Sequence, residues 1–248
     1  MILLIQFFLA HIIGDFFLQP DKWVKEKKLH RLKSIYLYLH VSIHFILILA
    51  ITGNIAFWKI ALIISAIHLV IDGAKLYWQK EGTLRTWFFA DQLLHIATIF
   101  IVWSFQEKMI PDLHVLCKKE WLVPVTAILF VLNPASFIIK TAISKWTPHG
   151  IGQDPGETTT GETTTADTSL ENAGRLIGIM ERLLVLVFVF LGKWEGIGFL
   201  LTAKSVFRFG DIKDARSMKL TEYVLIGTFL SFGIAIMTGL IALQLLAK

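Results

Sequence analysis

The sequence predicts an all-α fold, a polytopic transmembrane helical bundle, from three observations. Hydrophobic residues fill 55% of its 248 positions, the mean hydropathy is +0.64, and the apolar residues fall in blocks rather than along one face. A helix needs about 20 such residues to cross a hydrocarbon core of about 30 Å. This composition excludes a soluble globular domain. Applying the length to the blocks gives spans near 2–19, 35–52, 56–77, 87–105, 121–140, 176–191, 195–209 and 222–246, about eight in all. The two near 176–191 and 195–209 are short enough to re-enter instead of crossing.

The first block, MILLIQFFLA, has no basic residues ahead of it, and His11 and Asp15 interrupt it before any small-residue cleavage pattern. It therefore reads as a span, not as a cleaved signal peptide. The connection from Pro20 to Lys33 carries six Lys or Arg, and Pro20 is placed to open a short interfacial helix. By the positive-inside rule that connection is cytoplasmic. Alternating the later ones divides Lys and Arg eighteen inside to six outside, which predicts both termini outside. Asn133 and Pro134 break the fifth span, as a proline kink does.

Beyond that span the character changes. The stretch from Thr147 to Leu170 is polar, rich in Gly and Thr, and contains GETTT twice. It cannot bury a core and reads as a flexible cytoplasmic linker. The expected organisation is thus a five-span bundle over 1–146, a linker over 147–170 and a three-segment helical unit over 171–248. The single cysteine, Cys117, excludes an intramolecular disulfide and a CxxC site. The net charge of +5 comes without a basic groove interleaved with aromatics, which speaks against nucleic acid as a partner.

Four of the apolar blocks carry a pair of ionisable residues four apart: His11 with Asp15, His40 with His44, His68 with Asp72, and Asp91 with His95. Residues at this spacing share one helix face. Ionisable side chains inside a membrane are costly and face a bundle interior or polar cavity, which makes them functional candidates. Depth tests whether they can meet. Asp15 and His11 lie four and eight residues from the inner end at Gln19, and His40 and His44 lie five and nine residues into a span opening at Ile35. Asp91 and His95 lie four and eight residues beyond Trp87, and Asp72 and His68 five and nine before Tyr77. At about 1.5 Å per residue all eight fall in one belt in the cytoplasmic half.

Imidazole and carboxylate together suit a divalent transition metal, zinc, iron or manganese. Five histidines and three aspartates exceed one tetrahedral shell, so either two ions bind or some of these residues orient the ligands. Asp15, Asp72 and Asp91 are also the candidate catalytic carboxylates, as general bases. The structural alternative is that intramembrane histidines hydrogen-bond between helices. Gly14 and Gly73, beside Asp15 and Asp72, allow close helix approach, and Gln92 and Gln19 are placed to add hydrogen bonds. His30, His114 and His149 fall in loops and receive no role.

The C-terminal segments carry Glu181, Arg182, Lys204, Arg208 and Glu222. Lys204 and Arg208 are another i,i+4 pair, a candidate anion or headgroup site. Pairing with neighbouring carboxylates, or snorkelling to the interface, is the competing account.

HIIGDFFLQ at His11, HLVIDGAK at His68 and FADQLLH at Phe89 resemble an uncharacterised bacterial multi-pass membrane family, domain of unknown function 3307. The resemblance covers the five N-terminal segments, while ENAGRLIGIMERLL and AKSVFRF resemble a C-terminal extension found with that family. It implies a bacterial inner-membrane setting and no reaction. The HxxxD pattern is also similar to that of membrane-bound families labelled metal-dependent hydrolases. His40 and His44 resemble the HxxxH box of di-iron desaturases, but no HxxHH box occurs.

The expected function is metal-dependent hydrolysis or transfer on a lipid-associated substrate, the metal activating water or polarising a phosphoryl or acyl oxygen. A cation or proton-coupled transporter using the same belt is the alternative.

Overall fold

The computed structural model describes residues 1–109, 118–146, 165–209 and 215–247, and among these every regular element is helical. In chain order they are α1 (Ile2–Phe16), α2 (Asp21–His30), α3 (Ile35–Thr52), α4 (Trp58–Trp78), α5 (Leu84–Met109), α6 (Lys119–Leu132), α7 (Pro134–Ile143), α8 (Thr165–Phe190), α9 (Trp194–Phe209) and α10 (Ala215–Ala247). Most of the expected linker, 147–164, lies outside the described residues, and its last residues open α8.

Among the described residues five helical stretches are long and apolar enough to cross a membrane: Ile35–Thr52, Ile55–Trp78, Glu81–Gln106, Lys119–Trp146 and Thr221–Ala247. A sixth is added if Ile2–Phe16 and Asp21–Lys33, bent by 81°, count as one broken span. This is fewer than the eight expected. At 15 and 16 residues, α1 and α9 reach only about 22–24 Å, short of a full hydrocarbon core. Helix α8 opens on the polar run TADTSLEN, which leaves its apolar part well below its 26 residues.

Large apolar side chains point outward, Val70 and Leu93 each 68% exposed, while the four i,i+4 pairs of histidine and aspartate lie inside. That inversion of the soluble pattern fits insertion into lipid, where outward apolar surface carries no cost.

The described residues divide into two compact units, Met1–Leu129 and Phe130–Lys248. The division falls ahead of residue 146 because α7 packs on α8 and α10. In the first unit α1, α3, α4 and α5 form a closed ring, each packed on its two neighbours. Below its polar belt lies an apolar core of Leu3, Phe7, Ala10, Ile48, Phe57, Ala61, Ile64 and Ile99. Gln6 donates to the Ile51 carbonyl at 2.9 Å, and Gly53, left-handed at φ 64°, closes α3 with its N–H on Leu49.

Helix α2 turns away from α1 after Pro20 and packs on α3, with Trp23 stacked on Tyr36 at 5.5 Å. It ends at Arg31, a non-glycine residue at φ 50°, whose guanidinium sits 5.0 Å over the Tyr77 ring. The chain reversal there costs backbone strain that this contact helps to offset.

In the second unit α10 packs against α8 and α7, and α8 against α9. Gly192, at φ 66°, turns α8 into α9, and the Lys193 N–H reaches back to Phe188 O at 2.8 Å. Arg182 is buried at 4% exposure. Its Nε donates to Val131 O at 2.7 Å and its Nη2 to Leu132 O at 3.4 Å and to Ser136 Oγ. The Asn133–Pro134 break therefore has the Val131 and Leu132 carbonyls beside it engaged by an arginine of its own unit.

Candidate metal centre

The polar belt is built in layers by four antiparallel helices. His11, His44, His68 and His95, one from each, line a single cavity together with Phe7, Ile48, Ile64, Thr98 and Ile99. Phe7, Ile48, Ile64 and Ile99 each stand four residues from one of those histidines, on the apolar side. Four residues the other way stand Asp15, His40, Asp72 and Asp91. Because α1 and α4 run opposite to α3 and α5, the cavity histidine comes first in the first two, before Asp15 and Asp72, and second in the others, after His40 and Asp91. One helical turn per layer then stacks apolar, imidazole and mainly carboxylate side chains in register.

The imidazoles crowd closely. Ring centroids are 4.0 Å apart for His44 and His68, 4.1 Å for His68 and His95, 4.7 Å for His40 and His44, and 5.2 Å for His11 and His95. All five are at least 96% buried. Asp15 is at their focus. Its Oδ1 lies 3.0 Å from His44 Nε2, 3.2 Å from His40 Nε2 and 3.6 Å from His68 Nε2, and its Oδ2 lies 3.8 Å from His11 Nε2. The Nε2 atoms of His40 and His68 are 3.1 Å apart. Gly14 makes this approach possible: a Cβ there would meet His44 Cε1 at 2.4 Å.

All eight residues expected in the belt are thus brought together. Three overlapping groups have ligand atoms mutually close enough for one ion: His11, Asp15, His44 and His68; His40, His68 and Asp72; and Asp72, Asp91 and His95. Two ligands about 2.1 Å from a zinc ion at a tetrahedral angle stand about 3.4 Å apart, and the separations around Asp15 bracket that value. Several buried polar atoms also lack a hydrogen-bond partner, among them His11 Nε2, His40 Nδ1, Asp91 Oδ1 and both nitrogens of His95. Such atoms are costly in an apolar interior unless a ligand or water satisfies them. By geometry, by donor type and by these open valences the residues could hold a metal ion.

Two residues of the site escaped the sequence reading. By sequence Lys27 and Lys75 read as charges of a connection and of a span end, among the eighteen that set topology. In the structure Lys27 Nζ donates to Asp72 Oδ2 at 3.0 Å and Lys75 Nζ to Asp91 Oδ2 at 2.8 Å. Lys75 offered a signal, since it stands three residues after Asp72 and faces the same way on a helix. Lys27 offered none, because its contact depends on the turn of α2 back over the bundle. Gln92 joins the network as expected, donating to Asp15 Oδ2 at 3.3 Å and to Asp91 Oδ2 at 3.2 Å.

The residues set aside stay apart. His30 is on the surface beside Glu26, at 3.3 Å, and His114 and His149 lie outside the described residues. In the second unit Lys204 pairs with Glu181 at 2.5 Å, and the Arg208 side chain lies outside the described residues.

Residues 3–124 match the model of a family described as protein of unknown function (DUF3307), which bears out the resemblance read from the three motifs over that segment. No curated protein and no solved structure matches the chain.

Proposed function

We propose that the first unit is a membrane-embedded metal-dependent hydrolase or transferase that acts on a lipid-associated substrate. The observation that carries this is the carboxylate of Asp15 with four imidazole Nε2 atoms between 3.0 and 3.8 Å from it. A side chain so surrounded is arranged for coordination rather than for one helix-to-helix hydrogen bond. Zinc, iron or manganese, as one or two ions, suits the donors, and such an ion supplies Lewis acidity toward a phosphoryl or acyl oxygen. His11, His40, His44, His68 and His95 with Asp15, Asp72 and Asp91 provide the ligands, their orienting partners and the general base. A lipid-borne substrate reaches such a site laterally, from the bilayer that the outward apolar surface faces. The setting we assign is the bacterial inner membrane, with both termini outside and the belt in the cytoplasmic half, on the strength of the Lys and Arg distribution.

The run of imidazoles from His44 through His68 to His95, at 4.0 and 4.1 Å between rings, favours a second reading. In it the same belt passes a cation or relays protons in a coupled transporter.

Elemental analysis of the detergent-purified protein, made without a His-tag and compared with His68→Ala, tests the metal. One or two equivalents that vanish in the variant are expected. No metal in the wild type after purification without chelator and a resupply step overturns the reading. Turnover of lipid-phosphate or ester substrates in detergent, without a gradient, separates the enzyme from the transporter, which instead gives pH-driven metal flux in vesicles.

A further inference from the structure

We infer that Lys27 and Lys75 are positioning residues that stand in for a second metal ion, so that the belt takes one divalent cation, at His11, Asp15, His44 and His68. The inference rests on the metal reading above and sharpens it. Charge is the first argument. Counting imidazoles as neutral ligands, three carboxylates face two ammonium groups, which leaves one negative charge. One divalent ion brings the belt to +1, and two bring it to +3. In a buried, largely apolar setting the second step is far the costlier.

Geometry divides the carboxylates in the same way. Asp72 Oδ2 is held by Lys27 at 3.0 Å and Asp91 Oδ2 by Lys75 at 2.8 Å. Among the described residues no lysine is paired with Asp15, whose partners are imidazoles and the neutral amide of Gln92. The three groups able to hold an ion overlap at Asp72 and His68. Of these, only the one built on Asp15 contains no carboxylate already engaged by an ammonium.

The lysines enter from opposite directions in the chain. Lys75 rises from α4 itself, with a side chain 26% exposed. Lys27 is delivered by α2, its side chain 7% exposed, and that helix is fixed on the bundle by the Trp23–Tyr36 stack and the contact of Arg31 with Tyr77. An ammonium clamped on one oxygen fixes the carboxylate plane. The other oxygen, Oδ1, is then turned toward an imidazole, 3.9 Å away both for Asp72 with His68 and for Asp91 with His95. Outer partners of this kind set the orientation of metal ligands.

The test is metal content of the full-length, tag-free protein after resupply with zinc(II), with manganese(II) and iron(II) in parallel, and removal of free ion. One equivalent is expected in the wild type. Lys27→Met with Lys75→Met removes both ammonium groups and should admit a second. Lys75→Met alone removes the more exposed one and should likewise raise the content above one equivalent. Two equivalents in the wild type overturn the inference while leaving the metal reading intact, as does a single equivalent in the lysine variants. No metal in the wild type overturns the metal reading itself. The single variant keeps the test decisive if the double variant does not fold.

Discussion

Gly14 lies against the imidazole of His44 so closely that a Cβ on it would sit 2.4 Å from Cε1 and 2.6 Å from Nε2. The contact joins α1 to α3 at the level of the belt and leaves no room for a methyl group. Gly14→Ala should push the His44 ring off Asp15, lower stability by about 1–3 kcal/mol, as overpacking does, and reduce bound metal. Thermal unfolding in detergent and elemental analysis read the two effects. Unchanged values in both would show that the ring is free to move aside.

Asp15→Asn keeps the shape and removes the charge at the focus of four imidazoles. It should insert and unfold much as the wild type does while losing the ion. Full metal content in this variant would exclude Asp15 as a ligand.

Trp23→Ala removes the stack that docks α2. The aromatic contribution is about 0.5–1.5 kcal/mol, and its loss should free Lys27 from Asp72. Amine-selective labelling followed by peptide mass spectrometry measures this. Lys27, protected in the wild type, should become reactive in the variant, whereas equal protection would mean that α2 is held by other contacts.

Arg182→Met should destabilise the second unit by about 1–3 kcal/mol, since the buried Val131 carbonyl at the helix break then lacks its donor, while the Leu132 carbonyl keeps the Ser136 hydroxyl. Its hydrogen bonds run to residues 131, 132, 136 and 231, all in that unit. Metal content should therefore stay at the wild-type level in whatever protein folds. Limited proteolysis reads the first effect and elemental analysis the second.

The eight belt residues were legible because two simple rules act on them together. The i,i+4 spacing puts each pair on one face, and the distance from a span end sets depth. Lys27 was not legible, because a lysine in a basic connection looks the same whether it meets solvent or folds back to Asp72 across an 81° bend. Arg182 was visible only as a costly charge. Its partners are backbone carbonyls, which carry no side-chain signature, and the break that exposes them is marked by Pro134, far away in the chain. Eight spans are read from the sequence, against five or six among the described residues that are long and apolar enough; the difference lies at α8 and α9, where hydropathy marks an apolar stretch but not how much of it lies along one straight axis. The apolar layer of Phe7, Ile48, Ile64 and Ile99 follows from the same four-residue arithmetic as the histidines. It went unread because apolar residues in an apolar block do not stand out.

The bond between Arg182 and the broken helix also orders events at the ribosome. Residues 131 and 132 emerge about fifty positions before the side chain that satisfies them. Until then the Val131 carbonyl at the end of α6 waits for the donor that Arg182 brings, and α8, arriving later, carries a guanidinium that needs acceptors of its own. Each supplies what the other lacks, so the helix break and α8 are completed together, and a nascent chain that stops between them leaves the break without this guanidinium.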